Sequence, residues 1–141
     1  GEAERESVAA AYAAAGVPGE VAAFFEGMGE RYAAADLVVA RAGAGTIAEI
    51  AANARPAILV PYPHAARDHQ RANAGWLAER GGALVIEEAG ADAPQQLARA
   101  IAALAGDRER LRAMAAASAA VGVRDAAARI VAECRLLLGR G

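Results

Sequence analysis

Three short apolar runs, each followed by a stretch of helical character, constrain this chain more than any other feature. Asp36-Leu37-Val38-Val39-Ala40, Ala57-Ile58-Leu59-Val60 and Ala83-Leu84-Val85-Ile86 lack polar/apolar alternation. Each therefore reads as a strand buried on both faces, the pattern of a parallel sheet rather than of a sheet with one wet side. Between them lie the helical stretches Thr46 to Asn53 and Asp68 to Arg80, the second ended by Gly81-Gly82. This β-α-β-α-β-α alternation specifies an α/β fold, a Rossmann-like parallel sheet with helices on both faces. Short βαβ spacing with right-handed crossovers predicts that the three strands are parallel and adjacent in sequence order or nearly so.

A fourth apolar run, Val21-Ala22-Ala23-Phe24-Phe25, reads as a further strand ending at Glu26-Gly27. Further helices are expected over residues 3–15 (stopped by Gly16-Val17-Pro18-Gly19), 28–35, 93–105, 107–118 and 123–138. Sheets of this kind open on a strand, whereas this chain opens on a helix. The first strand and its glycine-rich turn are therefore expected upstream of Gly1, and residues 1–141 are expected to form a single partial domain.

Composition narrows the function classes. The chain is 56% hydrophobic and 23% charged, which gives it ample apolar surface to offset the entropy of ordering and excludes disorder. Alanine supplies 44 of the 141 residues, so the hydrophobic fraction overstates the area available for burial. All 15 basic residues are arginine, a bias read as genomic base composition. The net charge of −2 argues against electrostatic binding of nucleic acid. The lone Cys134 rules out an internal disulfide and a multi-thiolate zinc site; its helical surroundings make it a packing residue. No run approaches the roughly 18 apolar residues of a membrane span and no signal peptide is visible, so the simplest compartment is the cytoplasm.

The strongest chemical signal is Arg41-Ala42-Gly43-Ala44-Gly45-Thr46-Ile47-Ala48-Glu49, directly after a buried strand and opening a helix. Glycines there let a ligand approach the backbone, and the unpaired N–H groups of a helix N-terminus suit a diphosphate. Gly43-x-Gly45-x-x-Ala48 satisfies the loose dinucleotide fingerprint, but the acidic residue that a nicotinamide site requires is absent from the end of the next strand, Val60-Pro61-Tyr62. Glu49 has two readings: the far end of a capping box with Thr46, or a carboxylate that accepts both hydroxyls of a ribose.

The second signal, Val60-Pro61-Tyr62-Pro63-His64-Ala65-Ala66-Arg67-Asp68-His69-Gln70, lies at the carboxyl end of the next strand, along the edge where open α/β sheets bind ligands. Asp68 can equally cap the following helix, and His64 can simply pack in the loop. The two histidines, without a thiolate or an acid cluster, do not make a metal site. Trp76 and Leu77 read as core. Arg108, Arg110 and Arg112, beside Asp107 and Glu109, read as a solvated face, with contact to anionic lipid the lesser alternative.

The strand followed by Gly-x-Gly-Thr-x-x-Glu, the x-Pro-x-x-x-x-Pro segment and the late Asp-x-Gln resemble the nucleotide-sugar half of GT-B glycosyltransferases. Tyr32 to Ala74, with Asp36-Leu37-Val38-Val39-Ala40-Arg41-Ala42-Gly43-Ala44 and Asp68-His69-Gln70-Arg71-Ala72-Asn73-Ala74, is similar to the MurG family of N-acetylglucosaminyltransferases. Phe24-Phe25-Glu26-Gly27-Met28 matches a family Phe-Ile-x-x-Met segment.

The resemblance implies that UDP-N-acetylglucosamine binds over this edge. Phe25 would hold the uracil through its backbone, with Phe24 and Met28 shaping the pocket. Ala44, Gly45 and Thr46 would line the diphosphate and ribose, Glu49 would take the ribose hydroxyls, and His69 and Gln70 would sit near the sugar. The resemblance also implies no cofactor or metal, and an acceptor that is a lipid-linked muramyl-pentapeptide bound by an acceptor domain absent from this chain. The whole protein is then expected at the cytoplasmic face of the bacterial inner membrane as a peripheral enzyme, and the isolated chain is expected to be inactive, with no catalytic residue of its own. Two departures stand out: Ala42 where the family often has serine, and Ala54-Arg55-Pro56 in place of Gly-x-Pro. Two rivals remain, the donor domain of another GT-B transferase and a nucleotide-binding module without activity.

Overall fold

A computed structural model describes residues 1–65 and 68–139. In chain order its elements are α1 (Glu2–Ala14), α2 (Met28–Ala34), β1 (Val38–Ala40), α3 (Ala44–Ala52), β2 (Ala57–Leu59), α4 (His69–Glu79), β3 (Ala83–Val85), α5 (Ala93–Ala105), α6 (Arg108–Val121) and α7 (Ala126–Leu137). The chain divides into two compact units, Gly1–Arg31 and the residues from Tyr32 onward, with the division falling inside α2.

In the first unit α1 is alanine-rich with Glu2 and Glu4 in its first turn, where carboxylates favour the positive end of the helix dipole. It ends in a Schellman motif. Gly16 takes the left-handed conformation (φ 63°), its N–H donates to the Ala13 carbonyl, and the Val17 N–H donates to Tyr12. The strand expected over 21–25 does not form. The run joins no ladder, and five residues of mixed exposure without a hydrogen-bonded neighbour cannot persist as sheet. Arg31 organises this stretch instead. Its guanidinium pairs with both carboxylate oxygens of Glu20 at 2.9 and 3.0 Å and stacks 4.0 Å from the centre of the Phe25 ring.

The second unit holds the sheet, three parallel strands in the order β1-β2-β3, as the βαβ spacing requires. Val38 to Ala40 align with Ala57 to Leu59, and these with Ala83 to Val85. The period of two sorts β2 between two cores. Ala57 and Leu59 face α3 and α4, packing with Ile47, Ile50, Ala74 and Leu77, while Ile58 faces α5 and α6, packing with Leu104 and Met114. Ile50, Ile58, Leu59, Leu77 and Leu104 are wholly buried, each stabilising the fold by about 1.5–3 kcal/mol. Helices thus cover both faces of a Rossmann-like sheet.

Two side chains expected to pack inside do not. Trp76 is 40% exposed, its ring lying 4.5 Å below the Arg80 guanidinium on the outer side of α4, one residue from the buried Leu77. Cys134 is exposed, because no residue of α7 is buried. Arg108, Arg110 and Arg112 are exposed. Among the described residues no helix is long and apolar enough to cross a membrane.

Candidate functional site

Parallel strands end together, so β1, β2 and β3 deliver their following loops to one edge of the sheet. The loop after β1 is the shortest. Gly43 is the N-cap of α3 (φ −64°, ψ 146°), and the helix starts at Ala44, two residues before the start expected from sequence. Thr46 is therefore the third helical residue and not a cap. The capping box is excluded, because Glu49 lies a full turn beyond any position from which it could bond back to the cap. Gly43 contributes no side chain to the amides of the first turn, so Ala44, Gly45 and Thr46 present backbone N–H groups at the positive end of the helix.

Gly45 is informative because the fold itself does not require it. Its backbone is ordinary for a helix, and a Cβ built on it would meet nothing within 4 Å among the described residues. A glycine with neither a conformational nor a packing reason, in the first turn of such a helix, leaves room for something to approach the backbone.

Glu49 is exposed, one turn further along α3, and its Oε2 accepts a hydrogen bond of 3.0 Å from the hydroxyl of Tyr32. Tyr32 is buried. Its hydroxyl pKa is pushed from 10.0 up to about 12, first by burial and then by the bond to the Glu49 carboxylate, so it remains a donor across the working pH range.

Helix α4 braces the loop from the other side. Gln70 Oε1 accepts from the backbone N–H groups of Ala42 (3.2 Å) and Tyr62 (2.9 Å). Because two N–H donors converge on one amide atom, that atom must be oxygen, and the group Gln70 can still offer a ligand is its amide nitrogen. Asn73, one turn on, donates to the Ala42 carbonyl at 3.0 Å. The buried Ala42 peptide is thus held at both ends by α4, which fixes the entry to α3 and ties the β1 and β2 loops together. Asp68 occupies the N-cap position of α4 but makes no cap bond; its φ is 56° and its carboxylate pairs with Arg71. His64 lies in the loop with its ring edge-on to Tyr62, and His69 opens α4, exposed. Ala66 and Arg67 lie outside the described residues.

Arg41 closes the edge toward β3. It pairs with both oxygens of Glu88 at 2.7 and 2.8 Å and donates to the Val60 carbonyl at 3.2 Å, linking the loops that follow all three strands. The Arg41 guanidinium holds the Glu88 carboxyl below the usual carboxylate range. Arg71 does the same for Glu87.

A cleft of 680 Å³ opens beside β1 and is lined mainly by apolar side chains such as Val39, Ile86 and Leu97. It shares Arg41 with the loop edge but none of Ala44, Gly45, Thr46 or Glu49. A diphosphate needs unpaired donors, and the cleft's one cation, Arg41, already serves Glu88. The candidate site is therefore the open loop edge. There the structure gathers Ala44, Gly45, Thr46, Glu49, His69 and Gln70 within one unit. Phe24 and Met28, 82% and 41% exposed, and Phe25 belong to the Gly1–Arg31 unit and are described within it. Among the described residues no three His, Cys, Asp or Glu side chains come together as metal ligands.

Sequence reasoning missed Tyr32, Asn73 and Arg41. Asn73 was within reach, since it lies three residues after Gln70 and so shares a helix face with it. Tyr32 and Arg41 carry no local signal, for their partners lie 17 and 47 residues away.

The family model described as glycosyltransferase family 28 C-terminal domain matches residues 1–130. A protein of Syntrophotalea carbinolica named UDP-N-acetylglucosamine--N-acetylmuramyl-(pentapeptide) pyrophosphoryl-undecaprenol N-acetylglucosamine transferase is 48% identical over 92% of this chain and 36% of its own length. One of the same name from Rhodopseudomonas palustris is 52% identical over 79% of this chain and 30% of its own. The crystal structure of Acinetobacter baumannii MurG superimposes with a TM-score of 0.81 at 32% identity, over 93% of this chain and 40% of that one. The chain thus spans well under half the length of these relatives. With the family model covering almost all of it and the fold shared with MurG, the chain belongs to the glycosyltransferase family 28 C-terminal domain family.

Proposed function

We propose that this chain is the donor-binding part of an inverting glycosyltransferase that moves N-acetylglucosamine from UDP-N-acetylglucosamine to a lipid-linked N-acetylmuramyl-pentapeptide. The observation that carries the reading is the bare N-terminus of α3 with open space over Gly45, one turn from an exposed carboxylate. The first-turn amides and the Thr46 hydroxyl would hold the diphosphate, Glu49 would accept from the ribose hydroxyls, and the Gln70 amide nitrogen and His69 would lie toward the sugar. Phe25, with Phe24 and Met28, would take the uracil.

In the reaction the acceptor hydroxyl oxygen forms its bond to the anomeric carbon as the bond to the UDP oxygen breaks, and the hydroxyl proton passes to a base. Negative charge grows on the departing UDP, and fixed N–H dipoles at the end of α3 stabilise that charge without reorganising. The base and the acceptor site belong to the remainder of the protein. Because the acceptor in the relatives' name is an undecaprenol lipid, the whole protein would work as a peripheral enzyme at the cytoplasmic face of the inner membrane.

The test is calorimetry with UDP on the parent and on two variants. Gly45→Ala places a methyl where the diphosphate would approach, and is expected to weaken UDP binding at least about tenfold while leaving the melting temperature level or slightly raised, alanine being the better helix former. Glu49→Gln is expected to weaken binding by about 1.5–3 kcal/mol, the worth of a charge-assisted bond. Parental affinity in both variants would dispose of the reading.

A further inference from the structure

The Tyr32 hydroxyl and the Glu49 carboxylate form a pair that the donor-site reading does not use. We propose that Tyr32 is a positioning residue that gives the site its preference for ribo- over deoxyribonucleotides, by pinning one oxygen of Glu49 so that the other is presented to a vicinal diol. The proposal rests on the reading of Glu49 as the ribose ligand and adds to it a second residue and a specificity.

The two members of the pair differ in freedom. Tyr32 is 6% exposed and sits in the core between the sheet and α3, with Ile47 and Ile50 among its neighbours, so its hydroxyl is fixed in space. Glu49 is exposed on the outer side of α3, and an exposed glutamate samples many rotamers. The 3.0 Å bond from Tyr32 to Oε2 removes most of that freedom before any ligand arrives. A carboxylate has about four acceptor positions and this bond takes one, so acceptor capacity for two adjacent hydroxyls remains. With its hydroxyl pKa raised to about 12, Tyr32 stays a donor at neutral pH.

The competing account is that Glu49 merely satisfies a buried tyrosine hydroxyl. The two accounts part on one measurable ratio. A structural bond affects stability, and hence all ligands alike; a positioning bond affects only ligands that carry the 2′-hydroxyl.

The experiment measures binding of UDP and 2′-deoxy-UDP by ligand-observed NMR to the parent chain and to Tyr32→Phe, Glu49→Gln, Glu49→Asp and the Tyr32→Phe/Glu49→Gln double variant, with thermal melts on each. The parent is expected to favour UDP. Tyr32→Phe should weaken UDP by about five- to tenfold and leave 2′-deoxy-UDP within about twofold, so that the preference collapses. Glu49→Asp, which keeps the charge but loses the reach to Tyr32, should behave in the same way, and it serves as the second probe should the phenylalanine variant fold poorly. In the Glu49→Gln background the tyrosine substitution should have no further effect on the ratio. Loss of preference in Glu49→Gln together with full preference in Tyr32→Phe and Glu49→Asp would overturn this proposal alone. Parental preference in Glu49→Gln would overturn the ribose reading and this proposal with it.

Discussion

Ala54 holds a backbone conformation that carries a measurable cost. It follows the C-cap of α3 with φ 53°, the left-handed conformation, while its N–H donates to Ala51 and the Arg55 N–H donates to Ile50. That is a Schellman motif with alanine in the position that favours glycine. The resemblance had marked the spot as Ala-Arg-Pro in place of Gly-x-Pro, and the backbone angle supplies the reason for the family's glycine. An L-residue in this region costs about 1–2 kcal/mol, and glycine returns about 0.5–1 kcal/mol of that through the larger entropy of its unfolded chain. Ala54→Gly is therefore expected to stabilise the chain by about 0.5–1 kcal/mol. The measurement is a urea midpoint shifted upward at constant slope, with UDP affinity unchanged because the C-terminus of α3 lies two turns from the N-terminus proposed to meet the diphosphate. A midpoint that falls would mean that Arg55, which donates to the carbonyls of Asn53 and Ala35, holds the turn more firmly than the angle implies.

At the scale of elements, the end of α6 bears directly on α3. A Cβ on Gly122 would collide with the carbonyl oxygen of Ala51 and stand 2.7 Å from its carbon, while Arg124 donates to the Ala52 carbonyl at 2.9 Å. Backbone cannot step aside as a flexible side chain can, so Gly122→Ala is expected to destabilise by about 1–3 kcal/mol. Denaturant titration reads this directly, and an unchanged midpoint would show that the α3–α6 contact opens at little cost. Contacts of this kind were hidden from sequence reasoning, which recognised β1, β2 and β3 because both-face burial leaves an uninterrupted apolar run. The same criterion misread Val21 to Phe25, where apolar character is present but a ladder partner is not. It also misplaced Trp76 and Cys134: in an alanine-rich chain a large apolar residue stands out whether or not a partner covers it. The glycine-rich turn into α3 was legible as a helix start because a strand-to-helix turn depends on local backbone. The Glu49 capping box failed because a two-residue shift in the start of α3 is below what periodicity resolves.

For the molecule as a whole, the question is how much binding survives in a chain that spans about a third of its relatives' length. The groups assigned to the diphosphate, ribose and sugar are held by α3 and α4, and their supports (Tyr32, Gln70 and Asn73) come from within the same unit. That part of the site is preorganised, and preorganisation is what lets a small set of contacts yield measurable affinity. On the proposed reading α3 would meet the diphosphate from one side only, however, and the acceptor has no assigned place. The 141-residue chain is accordingly expected to bind UDP with a dissociation constant of roughly 1 mM, about −4 kcal/mol, and to transfer no sugar. If Phe25 reads uracil through its backbone, UDP should be favoured over ADP, since a purine presents a different edge to the same peptide groups. Ligand-observed NMR with both nucleotides, beside a transfer assay with lipid-linked acceptor, checks each part separately. Equal binding of the two bases would leave α3 as a phosphate site and remove Phe25 from it. Turnover would show that a base and an acceptor site lie within these 141 residues.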